Sequence, residues 1–359
     1  MSFDEVTDLS LEQMKNEGRR IGSDPNQLSK LGPLLPLHGT WTNKAAMGDI
    51  DFSGFGWNLI ALPFSPSPVR FRVLLNQYNE SLVFKTADTG VPNRGLGDAA
   101  SPTAGDQTLI ALDYEQTIQQ ISDRDQPHNT GDDSKPVERG IHHEPGLFLH
   151  VVDKRTDALD IARLATIPHG NSVLAMGRLA ETTGAPVFPT FDAMPIGLPA
   201  GVTFDSPPPL PPIPDYMSAY RDFITNPFKG TVDFPAFPGF DPRDVVNLLR
   251  INPIVPKIVK SSVYDFDTTL GTGGIENTPF IENQADASEM RSIFWVHELN
   301  ETEPNGEPVR VLQYLQIVML EFFDRLDGEP GLIKWPHVSI NTMKFVSTQA
   351  QPYQSYLAV

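Results

Sequence analysis

The chain consists mostly of apolar runs of 6 to 14 residues, rich in Val, Ile, Leu, Phe and Tyr, separated by clusters of Pro, Gly, Asn and Asp. This alternation of short runs and turn residues is typical of β-strands joined by loops. The pattern predicts strands near 37–43, 54–64, 69–78, 81–86, 107–121, 139–152, 158–167, 172–179, 255–268, 289–299, 309–323 and 335–346.

Several of these strands are apolar on both faces. In 309–323, Val311 and Leu315 alternate with Tyr314 and Leu320, so neither side of the strand is polar. A strand that is apolar on both sides suits a closed barrel with a lined interior and loops packed outside. We therefore predict an all-β fold, an antiparallel β-barrel of about ten strands with long loops.

The segment 190–250 interrupts the strand pattern because of its proline content. Its many phenylalanines make it too aromatic to stay solvated, so we expect an ordered insertion that wraps the barrel. Within it, Asp241 as N-cap and Pro242 at the first turn predict a helix over the stretch DPRDVVNLLR. The barrel domain is then 35–346, preceded by an N-terminal arm, 1–34, and followed by a C-terminal tail, 347–359.

Composition narrows the function. The 27 basic and 45 acidic residues give a formal net charge of −18, which disfavours nucleic acid and anionic membrane surfaces as partners. With no cysteine, the chain cannot use a thiolate as nucleophile or metal ligand. The acidic N-terminus and the lack of a long apolar run predict a cytoplasmic protein.

Histidines offer the clearest candidate chemistry. His142, His143, Glu144 and His150 lie on one predicted strand, so a non-haem metal site is one hypothesis. Adjacent residues of a strand point to opposite faces, so His142 and His143 cannot both bind one ion without a bulge.

A resemblance to a known family adds a second hypothesis. The segments that carry it are PLLPLHGTW, GFGWNLIALPF, GIHHEPGLFLHV, ARLATIPHGNSVLAMG, IFWVHEL, LQYLQIVMLEFF and WPHVSINTM. In this order they resemble the nitrobindin-like haem-binding β-barrels of the calycin, or fatty-acid-binding-protein-like, fold, and in particular bacterial haem peroxidases of that fold. The resemblance spans about 35–346 and treats 190–250 as an insertion.

The resemblance implies haem b as cofactor and His337, on the last strand, as the axial iron ligand. A haem needs an apolar slot and an axial donor, and histidine is the usual donor in globins and peroxidases. Trp335 shares a strand face with His337. We expect His337, Trp335, His143 and Phe148 to contact the cofactor.

Peroxidase chemistry also needs a group that moves a proton between the oxygens of bound hydrogen peroxide. His169, in the turn T-I-P-H-G, is the first candidate because that turn could overhang a barrel mouth. Arg163, on the preceding strand, is the second. The expected activity is that of a haem peroxidase that uses hydrogen peroxide to oxidise small aromatic donors, and a homodimer is one expected assembly.

Two alternatives remain open beside the metal site. An exposed haem could bind nitric oxide or peroxynitrite without a distal base. A metal-free barrel could instead carry a fatty acid or another hydrophobic ligand, and a carboxylate clamp from Arg70, Arg72 or Arg163 would favour that function.

Overall fold

The computed structural model describes residues 25–97, 99–101, 105–127, 139–152, 159–210, 212, 214–232, 236–322 and 325–347. Most of the predicted N-terminal arm and all but the first residue of the predicted tail lie outside these residues. Within them, no helix is both long enough and apolar enough to cross a membrane.

Strands make up most of the described secondary structure. They are β1 (Gly39–Thr42), β2 (Ala46–Met47), β3 (Ile50–Asp51), β4 (Gly56–Pro63), β5 (Phe71–Asn93), β6 (Gln107–Gln126), β7 (Arg139–Val152), β8 (Ile161–Ile167), β9 (Asn171–Thr183), β10 (Ile258–Asp267), β11 (Gly274–Asn277), β12 (Asp286–Thr302), β13 (Pro308–Glu321) and β14 (Lys334–Ser347). The α-helices are α1 (Ser218–Thr225), α2 (Asn247–Arg250) and α3 (Pro279–Ala285), and 3₁₀ segments cover Pro25–Leu37 and Val255–Lys257.

Ten antiparallel strands close into a barrel, in the order β4 to β10 followed by β12, β13 and β14. Pairing of β14 with β4, in which Ser339 lies opposite Asn58, closes the ring. β1 lies beyond Gly56, the first residue of β4. There it pairs with both β14 and β5, so the gap between these two strands is also closed. The prediction of an all-β barrel of about ten strands is confirmed.

The division of 69–86 into two strands is wrong. β5 runs through the supposed break, where Asn79 and Glu80 are both buried. The amide oxygen of Asn79 accepts a hydrogen bond from the backbone N–H of Gly54 at 2.9 Å, and Gln116 donates to Glu80 at 2.7 Å. Polar residues that resemble a turn in the sequence are here satisfied inside the protein.

The barrel interior has two halves. In one, which we call the filled half, the ring of Phe148 lies 4.8 to 5.3 Å, centroid to centroid, from four other aromatic rings, those of Phe84, Tyr114, Phe266 and Phe294. In the other, the open half, the inward side chains of the same strands surround a cavity. The filled half is therefore a packed aromatic core, and the cavity lies next to it in the same barrel.

The proline-rich segment 190–250 packs on the outside of the barrel. Its rings of Phe228, Phe237 and Phe240 lie 5.6 to 5.8 Å from the buried ring of Trp57 on β4. Strands are absent from the described residues of this segment, which instead contains α1, with Tyr220 and Phe223 buried. Aromatic burial thus anchors a chain that cannot form a sheet ladder.

The helix predicted from Asp241 begins later, at Asn247. The carboxylate of Asp241 accepts the backbone N–H of Arg243 at 2.9 Å and also binds its guanidinium. This local bond holds a turn in place of a first helical turn.

Candidate functional site

The open half contains a cavity of about 450 Å³. Its walls come from inward positions of β4 to β9 and β12 to β14, with α3 and β11 at its edge, and among the apolar side chains are Ile60, Leu62, Leu74, Ile118, Val318 and Leu320. Among the described residues, three histidines face this space: His142, His169 and His337. A concave apolar site with a few polar groups is typical of a small-molecule or cofactor pocket.

His337 reaches the cavity because β14 alternates and is paired with β4. Ser339, two residues on, lies opposite Asn58 in the register of these strands, so all three side chains meet on the inner face. The Asn58 amide nitrogen contacts Nε2 of His337 and donates to Oγ of Ser339 at 2.8 Å, while its oxygen accepts from Asn76 at 3.3 Å. Nε2 is therefore the acceptor and carries a lone pair.

The charge state of His337 agrees with this assignment. Burial, with smaller contributions from His142 and His169, lowers the pKa of His337 to about 3. The ring is neutral at physiological pH and can serve as a Lewis base.

His142 and His169 meet at the mouth of the cavity. His169 sits in the turn between β8 and β9, and its Nε2 lies 3.4 Å from Nδ1 of His142. On its other side, Nε2 of His142 lies 3.2 Å from a carboxylate oxygen of Glu144. Burial and the neighbouring His142 lower the pKa of His169. The sequence thus builds a chain of two imidazoles and a carboxylate across β7 and one turn.

Arg163 lies beneath the cavity and not on its surface. Its fully buried guanidinium donates to Glu144 at 2.6 Å, to Gln316 at 2.7 Å and to Ser292 at 2.9 Å, and its Nε donates to the Tyr114 hydroxyl at 3.1 Å. Although burial raises the pKa of the Glu144 carboxyl, the charge of Arg163 and the donors around it lower that pKa to about 2. Arg163 therefore holds Glu144 ionised and does not line the cavity.

A second buried carboxylate, Glu80, was not indicated by the sequence analysis. It accepts from Tyr314 at 2.7 Å and from Asn341 at 2.8 Å, and Tyr314 lines the cavity beside Tyr78. Burial raises the pKa of Glu80, and these donors lower it only in part. Glu80 and its partners close the floor of the cavity, and only inward alternation on β5 and β14 hints at them.

The other predicted cofactor contacts lie elsewhere. His143 is on the outer face of β7, where its ring pairs with Glu115 at 2.8 Å, because neighbouring strand residues alternate. Phe148 is at the centre of the filled half. Trp335 is buried against Phe71 and Phe322, with ring centroids 4.3 and 5.5 Å away. None of the three lines the cavity.

The metal-ligating side chains of the site can be compared with the needs of a non-haem ion and of a haem. In the described part of the chain, no three His, Asp, Glu or Cys side chains are grouped so as to hold an ion, so the non-haem site at His142 or His143 with Glu144 does not form a three-ligand cluster. His337 instead presents one imidazole on an apolar wall. That arrangement fits haem, which brings four nitrogens of its own and needs one axial donor.

Comparisons with known proteins do not assign the chain to a family, so the fold is described from its own strand pairing. No family model matches the chain, and no curated protein matches it. Among solved structures, the crystal structure of Rv2717c from M. tuberculosis is similar, with 12% identity over 88% of this chain and 97% of that chain. Its TM-score is 0.33, too low to support an argument about architecture or function.

Proposed function

We propose that the open half of the barrel binds haem b through Nε2 of His337, and that the loaded protein uses hydrogen peroxide to oxidise small aromatic donors. The observation that carries this proposal is the neutral imidazole of His337 on the wall of an apolar cavity. The resemblance of WPHVSINTM to the last strand of nitrobindin-like barrels supports the same residue. When bound, haem would supply an iron that exchanges electrons with peroxide and donor.

The residues around His337 can release it for this role. An amide N–H and a metal compete for the same lone pair on Nε2, so the Asn58 side chain must turn away when the ligand binds. Oγ of Ser339, 2.8 Å from the Asn58 amide, and Asn76 offer hydrogen bonds on the neighbouring side. With these two partners the Asn58 side chain would still have hydrogen bonds after it releases Nε2 of His337.

Proton transfer falls to His169 in this proposal. Peroxide cleavage requires a group that takes a proton from one oxygen and returns it to the other. His169 lines the cavity mouth and has a lowered pKa, so a neutral ring is ready to accept. His142 and the ionised Glu144 can stabilise the imidazolium that results, through the contacts of 3.4 and 3.2 Å.

The remaining alternatives have less support. A carrier of carboxylate ligands needs a cation in the pocket, and the three arginines expected for that role do not line the cavity: Arg72 is paired with Asp125 at 2.9 Å and Arg163 with Glu144. Arg139, an exposed residue at the start of β7, lines the cavity instead, so a carboxylate carrier would have to use this solvent-exposed arginine. Nitric-oxide or peroxynitrite binding would leave the His142–His169 pair without a use.

The axial role of His337 is tested by replacing the ring with a cavity. His337→Gly should lose stoichiometric hemin uptake, and added imidazole should restore the Soret band and the peroxide turnover. His143→Gly, on the outer face, is the matched control and should bind hemin as the wild type does. Full hemin uptake by His337→Gly without imidazole would contradict the proposal.

The role of His169 is tested separately. His169→Ala should keep hemin uptake and slow peroxide turnover by about 10²- to 10⁴-fold, the usual contribution of a general acid–base group. Unchanged turnover would remove His169 from the mechanism.

A further inference from the structure

The contact between His142 and His169 brings two ring nitrogens close together at the cavity mouth. Nδ1 of His142 and Nε2 of His169 are 3.4 Å apart, while the ring centroids are 5.5 Å apart and the rings tilted by 37°. The rings are thus not stacked, and the two nitrogens are their points of approach. At 3.4 Å an N–H···N hydrogen bond is weak, since such bonds are normally near 3 Å.

The same separation suits a shared ion. Histidine nitrogens bind Zn²⁺ at about 2.0–2.1 Å. An ion bound to both nitrogens at that distance would have an N–Zn–N angle of about 110°, close to the tetrahedral value. Both nitrogens lie at the cavity mouth, where water could complete the coordination.

Glu144 provides an independent indication. A metal-bound histidine usually donates its other ring N–H to a carboxylate, which fixes the tautomer. Nε2 of His142 faces Glu144 at 3.2 Å, and Glu144 is held ionised by Arg163 at 2.6 Å. With the proton on Nε2, the lone pair of His142 is on Nδ1, the atom directed at His169.

We propose that Nδ1 of His142 and Nε2 of His169 bind a divalent transition-metal ion, such as Zn²⁺ or Cu²⁺, at the mouth of the cavity, with its other positions open to water or a small ligand. This site does not depend on haem and uses no ligand from His337. An ion there would occupy the lone pairs that the proposed peroxidase needs for proton transfer, so it would act as an inhibitor of that activity.

Calorimetry on the full, metal-free and hemin-free chain tests the site. Titration with ZnCl₂ should reveal one site per chain, weakened at least about tenfold in His142→Ala and in His169→Ala. His143→Ala, on the outer face, and His337→Ala should bind as the wild type does. Equal binding by the wild type and both site variants, or loss of binding in His337→Ala, would overturn the two-histidine assignment.

Two further readouts guard against a folding artefact. With Cu²⁺, the electron paramagnetic resonance spectrum should show coupling to two imidazole nitrogens in the wild type and to one in His169→Ala, whose turn position leaves the barrel intact. Glu144→Gln should weaken Zn²⁺ binding by about 10- to 100-fold, as expected for the carboxylate partner of a ligand histidine. A copper spectrum that His169→Ala leaves unchanged would contradict the proposal.

Discussion

The filled and open halves of the barrel interior are built from the same strands and differ in the side chains at successive inward positions. On β6, Leu112 and Tyr114 point into the filled half, whereas Gln116 and Ile118 line the cavity. On β7, Phe148 is packed among aromatic rings, and His142 faces the cavity. The backbone ladder closes the barrel in both halves, so side-chain size and polarity decide where a ligand can enter.

Two buried polar clusters separate these halves. Arg163 binds Glu144 on one side, and Glu80 accepts hydrogen bonds from Tyr314 and Asn341 on the other. Each carboxylate is buried, and its donors are in place before any ligand binds. This layer lies between an apolar core and a cavity lined by histidines and other polar groups.

The largest expected effect comes from breaking this layer. Arg163→Met should lower the free energy of unfolding by about 3–5 kcal/mol, because Glu144 would remain buried without its cation. Urea denaturation measures the change. The double variant Arg163→Met/Glu144→Met should recover most of the loss, and a single variant within about 1 kcal/mol of the wild type would show that the pair does not hold the halves together.

A pair of identical substitutions compares the two halves directly. Leu112→Ala, in the filled half, should cost about 2–5 kcal/mol, because its neighbours cannot collapse into the space. Leu320→Ala, on the cavity wall, should cost less, since it enlarges a space that already exists. Chemical denaturation of both variants checks this order, and equal losses would mean that the cavity is closed in solution.

Acidic pH should lower the stability of the folded chain through two buried, neutral histidines. Burial lowers the pKa of His337, in the open half, and of His297, which is buried on β12 between Ser261 and Gln313, to about 3, against about 6.5 in an unfolded chain. Between these values the unfolded chain binds protons that the folded chain does not, so the free energy of unfolding falls as pH falls from about 6.5 toward 3.

Substitution assigns this dependence to a residue. His337→Gln should reduce the slope of stability against pH by up to about 1 kcal/mol per pH unit, below the limit of about 1.4 for one proton because the ring faces the cavity. Denaturation at pH 4, 5, 6 and 7 gives the slope. A slope that is the same in wild type and variant would place the His337 pKa near its ordinary value.

The smallest effect concerns the amide that covers Nε2 of His337. Asn58→Ala removes the hydrogen bond that competes with a metal, so hemin affinity should rise about fivefold, the equivalent of about 1 kcal/mol. Asn76→Ala, which leaves that amide in place, is the control. Weaker hemin binding by Asn58→Ala would show that the amide positions the ring.

The barrel could be predicted because its evidence is local. Strand runs, turn clusters and two-sided apolar alternation are each visible within a few residues, as in 309–323. The local evidence failed where tertiary contacts satisfy polar groups, as at Asn79 and Glu80, which lie within β5, and at Asp241, where a side-chain bond holds a turn.

The site could be predicted only in part because it depends on which end of each strand a residue occupies. His337 and His169 reach the same cavity. Arg163 and Phe148 point inward below it, and His143 points outward, since alternation gives the face but not the depth. The contact of Asn58 with His337 and that of Glu144 with Arg163 become visible only once β4 is paired with β14 and β7 with β8.

Hemin titration of the full chain, followed by absorption spectroscopy, tests the central claim most directly. If His337 is the axial ligand, the wild type should develop a Soret band that saturates near one hemin per chain and shifts on addition of dithionite, and His337→Ala should not. A wild-type chain that takes up no hemin, or a His337→Ala variant with the same saturating spectrum, would contradict it.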